Sequence, residues 1–216
     1  INFLLENPEE VARNKRYLKL IQQRINRANH IIAISDFALQ QAKQHLQLGN
    51  IPCSIIYNGC SYITKPPIEK MPKQIPTEPF LFSIGLVQKR KNFHTIIPLL
   101  QNNNYQYIIA GIDDFDYKQT ILTEAEKYKV TNRVIFTGPV TEEEKVWYYK
   151  NCLAFMFPSF AEGFGLPVIE AMYFGKPVFI SNLTSLPEVG GDAAYYFNSF
   201  NETEMITAFK KGMEDY

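Results

Sequence analysis

The sequence predicts an α/β protein: a Rossmann-like parallel sheet with helices on both faces, preceded by a partial unit of the same kind. Three observations predict it. Short β-branched or aromatic runs alternate along the chain with longer amphipathic ones, the pattern of strand–helix–strand units. The candidate strands are nearly continuous apolar runs, as expected when helices cover both faces. The 216 residues are 46% hydrophobic, enough to bury a core of that size.

In chain order, a helix is expected over Pro8–Asn29, with Val11, Leu18, Ile21, Ile25 and Ala28 on one stripe and Arg13, Arg16, Lys19, Arg24 and Arg27 around it. A strand at Ile31–Ser35, a helix at Asp36–Gln47 and a strand at Ser54–Asn58 follow. Two strands rarely make a stable sheet alone. Thr64 to Pro79 then breaks the alternation. Its prolines 66, 67, 72, 76 and 79 favour an extended, semi-rigid connector.

Beyond the connector, strands are expected at Phe80–Gly85, Tyr105–Gly111, Val134–Gly138, Leu153–Pro158, Pro177–Ser181 and Ala193–Phe197. Helices are expected at Asn92–Leu100, Tyr117–Tyr128, Glu142–Asn151, Leu166–Phe174 and Glu202–Glu214. The chain therefore divides into residues 1–59, a remnant of a first domain; 60–79, a linker; and 80–216, a complete Rossmann-like unit.

Composition removes several classes of function. Lys plus Arg and Asp plus Glu number 22 each, which gives no case for phosphate-backbone electrostatics or nucleic-acid binding. Cys53, Cys60 and Cys152 are too few and too scattered for a disulfide scaffold or a metal site, and fit a reducing, cytoplasmic setting. No apolar run approaches the roughly 20 residues that span a bilayer. The opening Ile1 and the charged stretch after it do not read as a signal peptide; they suggest a chain cut from something longer. Neither the dinucleotide-binding glycine pattern with its downstream acid nor a P-loop occurs. His30, His45 and His94 stand without a neighbouring nucleophile or ligand cluster, and are read as surface or packing residues.

The chemistry concentrates in Phe157-Pro158-Ser159-Phe160-Ala161-Glu162-Gly163-Phe164-Gly165-Leu166-Pro167-Val168-Ile169-Glu170-Ala171-Met172. Gly163 and Gly165 let backbone approach a ligand closely. Pro167 suits a first helical turn, and Gly175 with Pro177 stops the helix. A strand's carboxyl end thus presents a helix N-terminus, which suits a pyrophosphate. Glu170 sits in an otherwise apolar helix, so its carboxylate needs a partner. Because helical side chains tilt toward the N-terminus, it can reach back toward whatever binds the glycine loop. Two hydrogen bonds from a vicinal diol would suit it, as would a partly exposed helix position. Glu162 lies nearer the place where a sugar would extend from the phosphates, or is a loop-surface charge.

Glu162 and Glu170, with seven residues between them, resemble the E-x7-E motif of family-4 glycosyltransferases. The surrounding Phe157-Pro158-Ser159, Gly163-Phe164-Gly165-Leu166-Pro167, Glu170-Ala171-Met172 and Gly175-Lys176-Pro177-Val178 match as well. So do Ser185-Leu186-Pro187-Glu188-Val189 and Gly191-Asp192-Ala193-Ala194. A second element, Gly85 followed after four residues by Arg90-Lys91-Asn92, resembles the family's turn for the donor diphosphate. Arg90 offers bidentate phosphate geometry and Lys91 a compact charge. Many relatives carry an arginine directly after that glycine; Leu86 stands there here instead. In the family, backbone near Gly138-Pro139-Val140 borders the nucleobase.

The resemblance covers Ile31 to about Glu204. It implies the GT-B fold, two Rossmann-like domains around a cleft, of which residues 80–216 form the C-terminal, donor-binding one. It implies transfer of a hexose from a UDP- or GDP-sugar to a hydroxyl acceptor with retention, in polysaccharide, O-antigen or glycolipid synthesis, with no obligatory metal and no further cofactor. The implied catalytic residues are Glu162, Arg90 and Lys91. The implied donor-binding residues are Glu170, Gly163, Phe164, Gly165, Leu166, Gly85 and Val140. The acceptor is expected to be a saccharide or a lipid-linked saccharide. The fragment is expected to lack the acceptor pocket and a final helix, and to be inactive alone.

Two other readings stand beside this one: a sugar-nucleotide 2-epimerase of the same fold, and a non-catalytic nucleotide-sugar-binding subunit. Asp114-Phe115-Asp116 could hold a divalent cation, but its place between a strand and a helix favours a helix cap. The basic first helix is read as packing on a missing domain with a solvated face. Peripheral contact with the inner face of the cytoplasmic membrane is the second reading.

Overall fold

The computed structural model describes residues 11–65 and 67–216. The first residues of the expected opening helix, and Pro66, lie outside the described residues. Described elements begin with α1 (Val11–Ile25), β1 (Ile31–Ala33), α2 (Asp36–His45) and β2 (Cys53–Ile55). β1 and β2 pair in parallel as a two-stranded sheet. On α1, which ends before the expected Asn29, Leu18, Ile21 and Ile25 turn inward to varying degrees, as does Ala28 just beyond it, but Val11 is exposed and Asn14 occupies the buried position one turn on.

The larger unit contains β3 (Phe80–Ile84), β4 (Gln106–Ala110), α3 (Phe115–Lys127), β5 (Val134–Gly138), α4 (Glu142–Asn151) and β6 (Ala154–Phe157). It continues with α5 (Leu166–Tyr173), β7 (Val178–Ser181), α6 (Leu186–Gly190), β8 (Tyr195–Phe197) and α7 (Glu202–Asp215). Its six strands run in the order β5-β4-β3-β6-β7-β8, every neighbouring pair parallel. The α/β class and the parallel, doubly covered sheet expected from the sequence are therefore present.

Period-two alternation along the strands sorts their side chains to two faces. Leu81, Tyr107, Ile109, Ala154, Met156 and Phe179 pack with α3, α7 and the residues after β3. Phe80, Phe82, Ile108, Phe155, Phe157 and Ile180 pack with α4, α5 and α6.

The stretch expected as a helix at Asn92–Leu100 forms a 3₁₀ helix over Phe93–Leu100 instead, with Pro98 inside it. Proline has no N–H for the α ladder and its ring crowds the preceding turn. The short helix α6, opened by Leu186 and Pro187, was not expected. The linker lies along α4: Cys60 and Tyr62 bury against Val146, and the Tyr148 hydroxyl donates to the Gln74 carbonyl at 2.7 Å.

The order of the sheet reverses between β3 and β6. From β3 the chain steps outward to β4 and β5, returns to the other side of β3 as β6, and steps outward again. A crevice opens at the carboxyl edge of such a reversal, where neighbouring loops diverge. Gly111, at the end of β4, packs against that edge with φ of +137° and donates to the Gly138 carbonyl. A Cβ there would lie 1.8 Å from the Gly85 carbonyl oxygen. Gly138 also has positive φ, +68°, but a Cβ there would meet nothing within 4 Å. Gly111→Ala should lower the unfolding free energy by at least about 3 kcal/mol and Gly138→Ala by only about 1 kcal/mol, read by urea denaturation.

Candidate functional site

The turn after β3 and the loop after β6 meet at the reversal, although more than seventy residues separate them in sequence. Gly85 ends β3 with φ of +143°, and the Lys91 side chain lies over it, so that a Cβ on Gly85 would be 3.1 Å from the lysine Cε. A short 3₁₀ turn, Lys89–Lys91, carries the two cations, and left-handed Asn92 ends it. The Arg90 carbonyl accepts from the Phe160 amide at 2.8 Å, which fixes the turn to the β6 loop.

Glu162 joins the two. Its Oε1 accepts from Lys91 Nζ at 2.7 Å and from Arg90 Nη1 at 3.1 Å. Arg90 also donates to the Ala161 carbonyl at 3.1 Å. Lys91 is 5% exposed, and its ammonium sits 4.5 Å from the centre of the Phe157 ring. Glu162, expected as a candidate surface charge or a sugar ligand, is thus a buried carboxylate in a three-residue ion cluster.

The glycine loop is equally constrained. Gly165 caps α5 with φ of +108°, no side chain caps that helix end, and Pro167 lies in its first turn. A Cβ on Gly165 would meet Leu186 Cδ2 at 2.8 Å. Phe164 is buried beside Tyr57, and Leu166 is exposed at the edge. The Gly163 carbonyl accepts from Ser35, the N-cap of α2, at 2.8 Å. Glu188 accepts from the Asp36 and Phe37 amides at the same helix start. The sequence offered no signal for these links between the first sheet and the loop.

Glu170 has the partner its apolar helix demands. Lys145 Nζ donates to its Oε1 at 2.9 Å and the Tyr149 hydroxyl to its Oε2 at 2.9 Å. Both partners come from α4, so Glu170 faces α4 rather than the Arg90–Lys91–Glu162 cluster. Lys145 also pairs with Glu142 at 2.7 Å. Burial would lower its pKa; the hydrogen bond it donates to Glu142 and the charge of Glu170 outweigh this and hold it above the usual lysine range. Glu142-Glu143-Glu144-Lys145 opens the helix expected at Glu142–Asn151, and nothing in the sequence marked Lys145 as a partner of Glu170. Val140, just before α4, packs at the margin of the core beneath that helix, beside a cavity of about 430 Å³.

Asp114 is the N-cap of α3, accepting from the Tyr117 amide at 2.9 Å, as expected of a helix cap. Among the described residues, no group of three or more His, Cys, Asp or Glu side chains is arranged to hold a metal ion. Likewise, no helix among them is long and apolar enough to cross a membrane. A cleft of about 560 Å³ opens between Arg90, His94 and the start of α3. There His94 Nδ1 lies 3.1 Å from the Tyr117 hydroxyl. Burial pushes the His94 pKa down, and burial pushes the Tyr117 hydroxyl up.

Residues 66–216 match the family model described as glycosyl transferases group 1, and the chain belongs to that family. It is similar to O-antigen chain mannosyltransferase B of Escherichia coli, 31% identical over 209 residues, covering 89% of this chain and 54% of that protein. Serotype-specific mannosyltransferase WbdA of Escherichia coli is 33% identical over 148 residues, 65% of this chain and 18% of that one. O-antigen chain mannosyltransferase RfbU of Salmonella typhimurium is 25% identical over 205 residues, 94% and 56%. The chain spans little more than half the length of the first and third of these, and less of the second.

Among solved structures, sucrose-phosphate synthase from Thermosynechococcus elongatus superposes with a TM-score of 0.77 at 20% identity, over 93% of this chain and 53% of that one. Anabaena Alr3699/HepE in complex with UDP and glucose does so at 0.76 and 21%, over 92% and 57%. This likeness and the parallel six-stranded sheet flanked by helices bear out the expected fold class.

Two measurements check the electrostatics of the site. Removing one partner of a buried charge cluster leaves the others uncompensated. Lys91→Met should therefore lower the unfolding free energy by about 3 kcal/mol, while Lys127→Met, whose pair with Glu124 is exposed, leaves Tm unchanged. The folded pKa of His94 is depressed below its ordinary 6.5, so the folded state binds fewer protons there. Its contribution to stability is complete above 6.5 and is lost as pH falls through the depressed value. His94→Gln should flatten that part of the stability–pH curve.

Proposed function

We propose that the chain carries the nucleotide-sugar-binding part of a retaining hexosyltransferase of the family-4 type. It would move a hexose from a UDP- or GDP-sugar to a hydroxyl acceptor in polysaccharide, O-antigen or glycolipid synthesis. The observation that carries this reading is the crevice at the β3–β6 reversal, where Arg90 and Lys91 meet a glycine loop and a helix start, with Glu162 at its mouth. Mannose is the favoured sugar, because several relatives of about 31–33% identity are named mannosyltransferases.

The donor diphosphate would lie between Arg90, Lys91 and the first turn of α5, against the bare backbone of Gly85, Gly163 and Gly165. Phe164 and Leu166 would shape the loop around it. Its charge competes with Glu162 Oε1 for the same two cations. Released from them, the Glu162 carboxylate accepts hydrogen bonds from the sugar hydroxyls. Glu170 would accept from the ribose, and backbone at Val140 would border the base.

In the transfer, the bond from the anomeric carbon to the phosphate oxygen breaks while the acceptor oxygen bonds that carbon on the same face. The acceptor's proton passes to the departing phosphate, and the nucleoside diphosphate leaves. Arg90 and Lys91 stabilise the charge that develops on it, so the scheme includes no obligatory metal. The acceptor would be a saccharide or lipid-linked saccharide. The exposed Lys15, Arg16, Lys19 and Arg24 of α1, with Arg27 just beyond it, support peripheral contact with a membrane surface in the second case.

Calorimetric titration with UDP, GDP and their sugars tests the reading. One nucleotide series should bind, and Glu170→Ala should weaken it about tenfold or more; unchanged affinity would overturn the ribose role. The chain alone should release no product, and turnover by it would refute its dependence on a further acceptor domain. The anomeric configuration of product made by the full-length protein, read by NMR, should match that of the donor.

A further inference from the structure

We propose that Lys145 and Tyr149 are positioning residues that aim the Glu170 carboxylate at a vicinal diol, so that a ribose is read by a three-residue device rather than by Glu170 alone. The proposal rests on the reading of Glu170 as the ribose ligand.

A carboxylate has about four lone-pair directions, two on each oxygen. Lys145 takes one on Oε1 and Tyr149 takes one on Oε2, both at 2.9 Å. One direction per oxygen remains, in a plane set by the two donors. Adjacent hydroxyls, as on the 2′ and 3′ carbons of a ribose, present two donors at that kind of spacing.

The donors themselves are fixed. Tyr149 is fully buried. Its ring stacks on Phe174 with centroids 5.8 Å apart and meets Phe82 edge-on at 5.3 Å, which leaves the phenol one position. Lys145 is held by Glu142 as well as Glu170, above the Tyr62 ring. The Lys145 and Glu170 side chains are 12% and 15% exposed, so the pair is shielded from screening yet open at one side.

Lys145 also sets a compensating charge against the enclosed Glu170 carboxylate, 2.9 Å away. α4 and α5 both start at the carboxyl edge of the sheet, so the device lies beside the loop that would hold the diphosphate.

The competing role is a structural staple between α4 and α5, and the test separates the two. UDP, GDP and their 2′,3′-dideoxy counterparts are titrated into the chain, and the ribose-to-dideoxyribose affinity ratio is compared across variants. The unaltered chain should prefer ribose about tenfold or more, and Glu170→Ala should bring the ratio near one. Lys145→Met and Tyr149→Phe, the latter removing a single hydroxyl, should each lower the ratio severalfold while dideoxynucleotide affinity holds. Lys145→Arg should restore most of it.

A ratio untouched by Lys145→Met and Tyr149→Phe but abolished by Glu170→Ala overturns the proposal and leaves the ribose reading standing. Parallel losses for both nucleotides, with a lower Tm, also overturn it in favour of the staple. A ratio that survives Glu170→Ala removes the ribose reading itself, and the proposal with it.

Discussion

The structure turns on the ion cluster of Glu162 with Arg90 and Lys91, at the point where the sheet reverses direction. Adjacent parallel strands β3 and β6 end side by side there, and their following loops part to either side. The crevice needs something to define its walls. A buried carboxylate shared by two cations does so, because each charge would be costly without the others. Lys91 is held over Gly85 and the Phe157 ring, and Arg90 is tied to the β6 loop through its own carbonyl as well as its side chain. These contacts hold both cations against Glu162.

The remaining parts support that arrangement from a distance. Gly111 brings the β4 edge against the Gly85 carbonyl, which fixes the height of the β3 turn. Ser35 and the first amides of α2 fasten the two-stranded sheet to the glycine loop and to Glu188. The linker lies along α4 through Tyr62 and Tyr148. Together these contacts set the first sheet, the linker and the larger unit around one crevice edge, although each contact is local and small.

Two carboxylates eight positions apart have different surroundings, and this separates what they can do. Glu162 shares one oxygen between two cations. Glu170 has one donor on each oxygen and an aromatic wall behind it, an arrangement suited to holding still. A carboxylate shared between cations and one that keeps a fixed direction fit different demands of a ligand with both charged and hydroxyl groups.

The sequence by itself determined the class of fold and nearly all strand positions, because continuous apolar runs of four to six residues leave few alternatives to buried parallel strands. Val134–Gly138 and Glu142–Asn151 were legible to the residue, and in the structure a capping box of Thr141 and Glu144 fixes the start of the latter. It missed the 3₁₀ form of Phe93–Leu100, where Pro98 overrode an otherwise helical pattern. The glycine loop, its two flanking carboxylates and the basic turn were also readable, since each is a local pattern. Their partners were not. That Glu162 meets Lys91, that Glu170 meets Lys145 and Tyr149, and that Ser35 meets Gly163 were decided only by the tertiary structure. Those pairs bring together side chains from strands and helices that sequence separation keeps 21 to 128 residues apart. Burial of a charge demands a partner, but only the packing of the sheet and its helices selects which one.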